Sequence, residues 1–167
     1  MSPENSTTAN DPTDADFMQL AILEAQKSIP VPSAYCVGAV LVSPSGSRAA
    51  HPTILSTGFS RELPGNTHAE QCCLLKLSET NSIEKAKGAT IYTTMEPCGE
   101  RLSGNLPCAR RLLEVGIGRV VVGVGEPKNF IAECQGTRQL RESGVVVDYL
   151  VGFEEACLAP NKHIVSA

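Results

Sequence analysis

Apolar positions along the chain change period several times, and each change marks an element. Residues 17 to 24 carry Phe17, Leu20, Ala21 and Leu23 at helical spacing, ahead of the breaker Ile29-Pro30-Val31-Pro32. Thr13 or Asp14 is placed to cap this helix. CVGAVLV at 36–42 is short, apolar and β-branched, and turn-rich SPSGSRAAHP separates it from a second such run at 53–59. That pattern predicts two strands joined as a hairpin. A helix over 68–77 follows, with Thr67 as its expected cap and Leu74, Leu75 and Leu77 as its expected buried face. Then come a strand at 89–94, a helix at 107–115, a strand at 119–123, a helix near 134–143 and a strand at 145–151. Pro107 in the first turn and Gly116 past the last bound the third helix.

Helices alternating with strands after residue 67 require parallel crossovers, whereas the opening hairpin is antiparallel. The expected fold is therefore α/β: a mixed five-stranded sheet between helical layers. The polar stretch MSPENSTTANDP reads as a disordered tail over 1–12, leaving one domain over 13–167. The tail has neither the apolar core of a signal peptide nor the arginines of a transit peptide.

Composition narrows the function classes. The 167 residues carry a net charge of −4 and are 42% hydrophobic. That balance does not favour nucleic acid, and no apolar run is long enough to span a bilayer. Seven cysteines are an odd number, scattered and without a secretory signal. Reduced thiols are thus expected, in the cytoplasm or also the nucleus, and the question becomes what the thiols do.

TMEPCGERLSGNLPCARRLLEVG places Cys98 and Cys108 each directly after a proline, with nine residues between them. Zinc takes thiolate and imidazole ligands, and three protein ligands plus an open position are the catalytic pattern. His68 lies two residues before Glu70 in THAEQCC. Residues two apart point to nearly opposite sides of a regular helix, so the two can share a site only if His68 lies at the irregular first turn. Cys108, behind Pro107, also falls in a first turn, where the backbone field favours thiolate. Cys72, a helical turn after His68, is the alternative fourth ligand of a purely structural zinc site. Cys36, Cys134 and Cys157 read as bystanders, His51 and His163 as surface histidines. Arg61, Arg101 and Lys128 are positive charges able to meet a phosphate.

His-x-Glu on a helix with Pro-Cys…Cys downstream resembles the zinc-dependent cytidine-deaminase superfamily. By that resemblance His68, Cys98 and Cys108 bind Zn²⁺, and Glu70 is the general acid/base. The segment TMEPCGERLSGNLPCARRLLEVGIGRVVVGVGEPKN, followed by LRESGVVVDYLVG, resembles more narrowly the deaminases of riboflavin biosynthesis. Nucleoside and nucleic-acid deaminases have about two residues between their cysteines, which this chain does not match. Bacterial riboflavin deaminases carry Pro-Asn-Pro-x-Val-Gly before the first strand, where this chain has Ser33-Ala34-Tyr35-Cys36-Val37-Gly38. They also tend to have a basic residue where Gly104 stands.

The resemblance implies a three-layer α/β/α zinc aminohydrolase acting on a small phosphorylated pyrimidine, with Tyr35, Ala69, Arg101 and Asn105 near the substrate. It implies no nucleic-acid or membrane partner, assembly as a homodimer, and no reductase domain of the kind the bifunctional bacterial enzymes carry. The altered segment and loop favour a fungal-type substrate, diamino-ribitylamino-pyrimidinone 5′-phosphate, deaminated to the amino-ribitylaminouracil phosphate. Its ribosylamino counterpart, a nucleoside or nucleobase, and a non-catalytic zinc-stabilised scaffold are the alternatives.

Overall fold

The structure is a computed structural model that describes residues 10–44, 46–47, 51–127 and 135–165. Lys128, Cys134 and residues 1–9 of the expected tail lie outside the described residues. Helix α1 spans Asp14–Ala25 and is followed by strands β1 (Gly38–Val42) and β2 (Ile54–Phe59). Then come α2 (Ala69–Glu79), a 3-10 turn (Ile83–Ala86), β3 (Thr90–Met95), α3 (Cys108–Glu114) and β4 (Arg119–Val124). Helix α4 (Gly136–Glu142), β5 (Val146–Tyr149), α5 (Glu154–Leu158), a 3-10 turn (Ala159–Asn161) and α6 (Lys162–Val165) complete the order.

The five strands form one sheet in the order β2-β1-β3-β4-β5. β1 pairs antiparallel with both β2 and β3, whereas β3, β4 and β5 run parallel. Side chains alternate across a strand, and this alternation divides the core. Ala39, Leu41, Ile91, Val120, Val122 and Val147 face one way, onto the buried sides of α2, α3 and α4. Val40, Val42, Tyr92 and Val121 face the other way, onto α1 and Cys157 of α5. The expected three-layer α/β fold with a mixed five-stranded sheet is the observed one.

Thr13 caps α1, accepting from the Asp16 backbone N–H while Asp16 accepts from that of Thr13, a reciprocal box. The expected apolar stripe of α1 is wrong in part. Phe17 and Ala21 are buried, but with Met18, Ile22 and Ala25, while Leu20 and Leu23 face outward. The reason is the closeness of α1 to β1: a Cβ on Gly38 would lie 1.9 Å from the Ala21 carbonyl oxygen. Only a face with alanines at its centre permits that approach. Leu75, expected in the buried face of α2, is likewise 37% exposed, while Leu74 and Leu77 are buried.

The sheet's far end is tied by charge. Arg119 donates to both carboxylate oxygens of Asp14, each at 2.8 Å, and to Asp148, while the Tyr92 hydroxyl also donates to Asp14. The Arg119 guanidinium holds the Asp14 carboxyl below its ordinary value against the opposing effect of burial. Among the described residues no helix is long and apolar enough to cross a membrane.

Candidate metal centre and active site

His68 sits immediately before α2 with extended backbone and is its N-cap, so Thr67 is not the cap. Thr67 instead turns its hydroxyl back to the Leu63 carbonyl, closing the preceding turn. The Gln71 side chain accepts from the His68 backbone N–H at 3.3 Å. With His68 outside the regular helix and Glu70 inside it, the two side chains reach one site despite their spacing of two.

Cys98 follows β3 on a loop that docks on the start of α3. The Cys98 carbonyl accepts from the Ala109 N–H at 3.0 Å, and its Sγ accepts from the Cys108 N–H at 3.3 Å. Pro107 is the N-cap of α3 and Cys108 its first residue. The loop is also pressed against α4, since a Cβ on Gly136 would lie 1.8 Å from the Pro97 carbonyl oxygen. Gly136→Ala must therefore push Pro97 and Cys98 away from α4. We expect a stability loss of roughly 1–3 kcal/mol and faster zinc loss to a chelator than in the wild type. Thermal unfolding and elemental analysis after dialysis check both; wild-type zinc retention would show that the loop yields without moving the sulfur.

His68 Nδ1 lies 3.5 Å from each of Cys98 Sγ and Cys108 Sγ. One ligand atom from each residue falls within 4.8 Å of the others, and this is the only such metal-competent trio among the described residues. The separations fit zinc: ordinary zinc–nitrogen and zinc–sulfur lengths at tetrahedral angles set nitrogen and sulfur about 3.6 Å apart. The sulfurs behave as a pair. Cys98 is lowered to about 4, chiefly by the hydrogen bond from the Cys108 side chain, with His68 adding to it against burial. Cys108 is pushed up, chiefly by its hydrogen bond to Cys98 and by burial, with the Glu70 and Cys98 charges adding and Arg101 partly compensating. Cys98 is thus the first to ionise.

Glu70 is buried at 3% exposure. Burial raises its carboxyl above the ordinary range, and His68 opposes the shift. The Thr93 hydroxyl lies 3.1 Å from Glu70 Oε1 and 2.8 Å from the Met95 carbonyl. Its single proton serves the carboxylate when Glu70 is ionised and the carbonyl when Glu70 carries a proton. Thr93 is therefore matched to both states of Glu70. It escaped the sequence reading because a threonine in a strand resembles any other β-branched residue.

His68, Glu70 and Cys98 line a cavity of about 240 Å³ together with Tyr35 and Arg101. The other two expected substrate residues, Ala69 and Asn105, are not among the cavity-lining residues. Ala69 is fully buried in the core beneath α2, and Asn105 is exposed on the inter-cysteine loop, outside the cavity lining. Arg101 is 8% exposed and faces inward. It donates to Gln71 Oε1 at 2.9 Å and to the Asn66 carbonyl at 2.7 Å, joining the inter-cysteine loop to the His68 turn. Cys72 is turned away, with its Sγ 3.2 Å from the Thr67 hydroxyl. His163 is half-buried in α6 with Nε2 3.2 Å from the Ala34 carbonyl, contrary to its reading as a surface residue.

Residues 11–124 match the family described as the cytidine and deoxycytidylate deaminase zinc-binding region. The chain is 41% identical over 143 residues to the diaminohydroxyphosphoribosylamino-pyrimidine deaminase of Schizosaccharomyces pombe, covering 86% of this chain and 33% of that one. It is 36% identical to the riboflavin biosynthesis protein RibD of Aquifex aeolicus, over 86% of this chain and 36% of that protein. The chain thus spans about a third of the length of these curated relatives. Among solved structures, a C-terminal deletion mutant of Aspergillus oryzae Rib2 deaminase in complex with DARIPP superposes with a TM-score of 0.76. That pair is 34% identical and covers 88% of each chain. Fold, donor set and sequence agree, and the chain belongs to the cytidine and deoxycytidylate deaminase zinc-binding family.

Proposed function

We propose that the protein is a hydrolytic deaminase of riboflavin biosynthesis that takes diamino-ribitylamino-pyrimidinone 5′-phosphate as substrate and releases ammonia. The observation that carries this reading is the buried Glu70 carboxyl sharing one cavity with His68 and Cys98 of the metal-competent trio. The similarity to riboflavin-pathway proteins and to the Rib2 deaminase solved with DARIPP supports the choice of substrate class.

His68, Cys98 and Cys108 would hold the zinc ion, which when bound supplies Lewis acidity towards water. Glu70 accepts the proton of the attacking water on its carboxylate and passes it to the ring nitrogen beside the amine-bearing carbon. A carbon–oxygen bond forms; Glu70 then takes the second proton from the new hydroxyl and delivers it to the amine as the carbon–nitrogen bond breaks, leaving a carbonyl and ammonia. Thr93 holds the carboxyl through both states. Arg101 fixes the turn that presents His68 and adds positive charge near the sulfurs. Tyr35 forms part of the cavity wall. The reading includes self-association as a homodimer, as is common in the superfamily.

The test is to incubate the purified zinc-loaded protein with the ribitylamino and ribosylamino phosphates and follow ammonia release. A ribityl chain is flexible and rich in hydroxyls, whereas a ribosyl ring is compact, so a wall shaped for one leaves polar groups unpaired with the other. We expect a clear preference in kcat/KM for the ribitylamino compound. Equal rates would remove the preference, and a preference for cytidine would overturn the pathway assignment.

A further inference from the structure

The cavity-wall segment 33–37 precedes β1 and lies outside the five strands, so its backbone groups need partners of their own. They find them on two sides. On one side stands Arg61, whose φ of 63° turns the chain sharply just after β2. Its guanidinium donates to the Tyr35 carbonyl at 3.3 Å, and to the Ile29 carbonyl and Ser28 hydroxyl at 3.0 Å each. Neighbouring Ser60 accepts from the Val37 N–H at 2.9 Å and donates its own backbone N–H to the Val37 carbonyl.

On the other side stands Asn161, in the 3-10 turn before α6 and fully buried. Its Oδ1 accepts from the Cys36 N–H at 2.6 Å, and its Nδ2 donates to the Cys36 carbonyl at 3.1 Å. One amide side chain thus replaces the strand neighbour that Cys36 lacks. Three residues on, Ile164 packs against Tyr35 and Met95. Tyr35 itself reaches the Pro127 carbonyl with its hydroxyl at 3.3 Å. Neither Arg61 nor Asn161 belongs to the trio; Arg61 also lines the cavity beside this wall, whereas Asn161 lies outside the lining.

We propose that Arg61 and Asn161 are positioning residues that clamp the backbone of residues 35–36 from opposite sides, fixing the Tyr35 wall and thereby setting substrate affinity without altering the chemistry. This inference rests on the reading of the cavity as the substrate pocket. A clamp that served stability alone would lower the melting temperature and leave KM unchanged. A positioning clamp changes the ground state and the transition state alike, because the wall touches the substrate away from the reacting carbon.

The variants are Arg61→Gln, Arg61→Lys and Asn161→Ala in the full zinc-loaded chain, measured by amide hydrogen exchange and by steady-state kinetics on the ribitylamino phosphate. In Arg61→Gln, exchange at the Cys36 and Val37 amides should quicken roughly tenfold or more, with α2 protection and zinc content as in the wild type. KM should rise roughly tenfold with kcat held within about threefold, and Arg61→Lys, which restores a donor but not the fork, should fall between. Asn161→Ala, outside the cavity lining, should follow the same split and separates the clamp from a direct Arg61 contact; if it does not fold, amide exchange in the two Arg61 variants decides. Wild-type exchange at Cys36 and Val37 in Arg61→Gln would overturn the clamp, and so would a fall in kcat at unchanged KM. Absence of ammonia release by the wild type would instead sink the functional reading, while the exchange measurement would still decide whether the clamp exists.

Discussion

Glu70→Gln is expected to keep its zinc and lose turnover by roughly 10² to 10⁴. The substitution preserves volume in a buried place on the cavity wall and keeps a carbonyl oxygen able to accept from Thr93. It removes one capacity, that of taking up a proton. Burial already raises the proton affinity of the Glu70 carboxyl, which suits a group that must both accept a proton and give it back near neutral pH. The residue lies outside the trio whose atoms gather around His68 Nδ1, so metal binding should not follow activity down. Ammonia release and elemental analysis on the same preparation separate the two. Near-normal turnover with full zinc would assign the proton transfer to another residue.

Cys108→Ser is expected to strip the zinc, and Cys72→Ser to retain it at one ion per chain. Both thiols are fully buried and only four positions of helix-forming sequence separate Cys72 from His68, so exposure and spacing do not distinguish them. Direction does. Cys108 Sγ lies 3.5 Å from His68 Nδ1, whereas Cys72 Sγ rests on the Thr67 hydroxyl behind the turn. A serine hydroxyl does not ionise as a thiolate does, and three protein ligands become two. Activity should disappear with the metal, and unfolding should come at a lower temperature, since a bound metal stabilises the folded state by mass action. Zinc loss in Cys72→Ser with full zinc in Cys108→Ser would reverse the ligand assignment.

Much of this architecture was legible before folding. Element order follows from period changes, the antiparallel opening from a short turn-rich loop, and the parallel remainder from intervening helices. The chemistry was legible because ligand types are few: a His-x-Glu and two Pro-Cys pairs allow few other combinations. Local sequence also placed Cys108 at a helix start, since proline before a first turn is a backbone constraint that acts without tertiary contacts.

Direction and register were not legible in the same way. Thr67 and His68 are adjacent, and which one caps α2 depends on the Leu63 carbonyl competing for the Thr67 hydroxyl. The buried face of α1 was decided by its close approach to Gly38, which favours alanines over the larger Leu20 and Leu23. Arg101 has the composition of a surface charge, yet two acceptors on another element draw it inward. Asn105, four residues away on the same loop, has no such partner among the described residues and is exposed.

The sequence by itself determined the order of helices and strands, the metal-ligating residue types and the presence of a carboxylate two residues from the histidine, because these depend on residues near one another in the chain. Only the tertiary structure decided that Arg61 and Asn161 meet across residues 35–36 and that Thr93 meets Glu70. Asn161 stands 125 residues from Cys36 and Thr93 stands 23 from Glu70. No local pattern encodes such pairings, because each arises when unpaired buried polar groups find partners that chain topology has brought within reach.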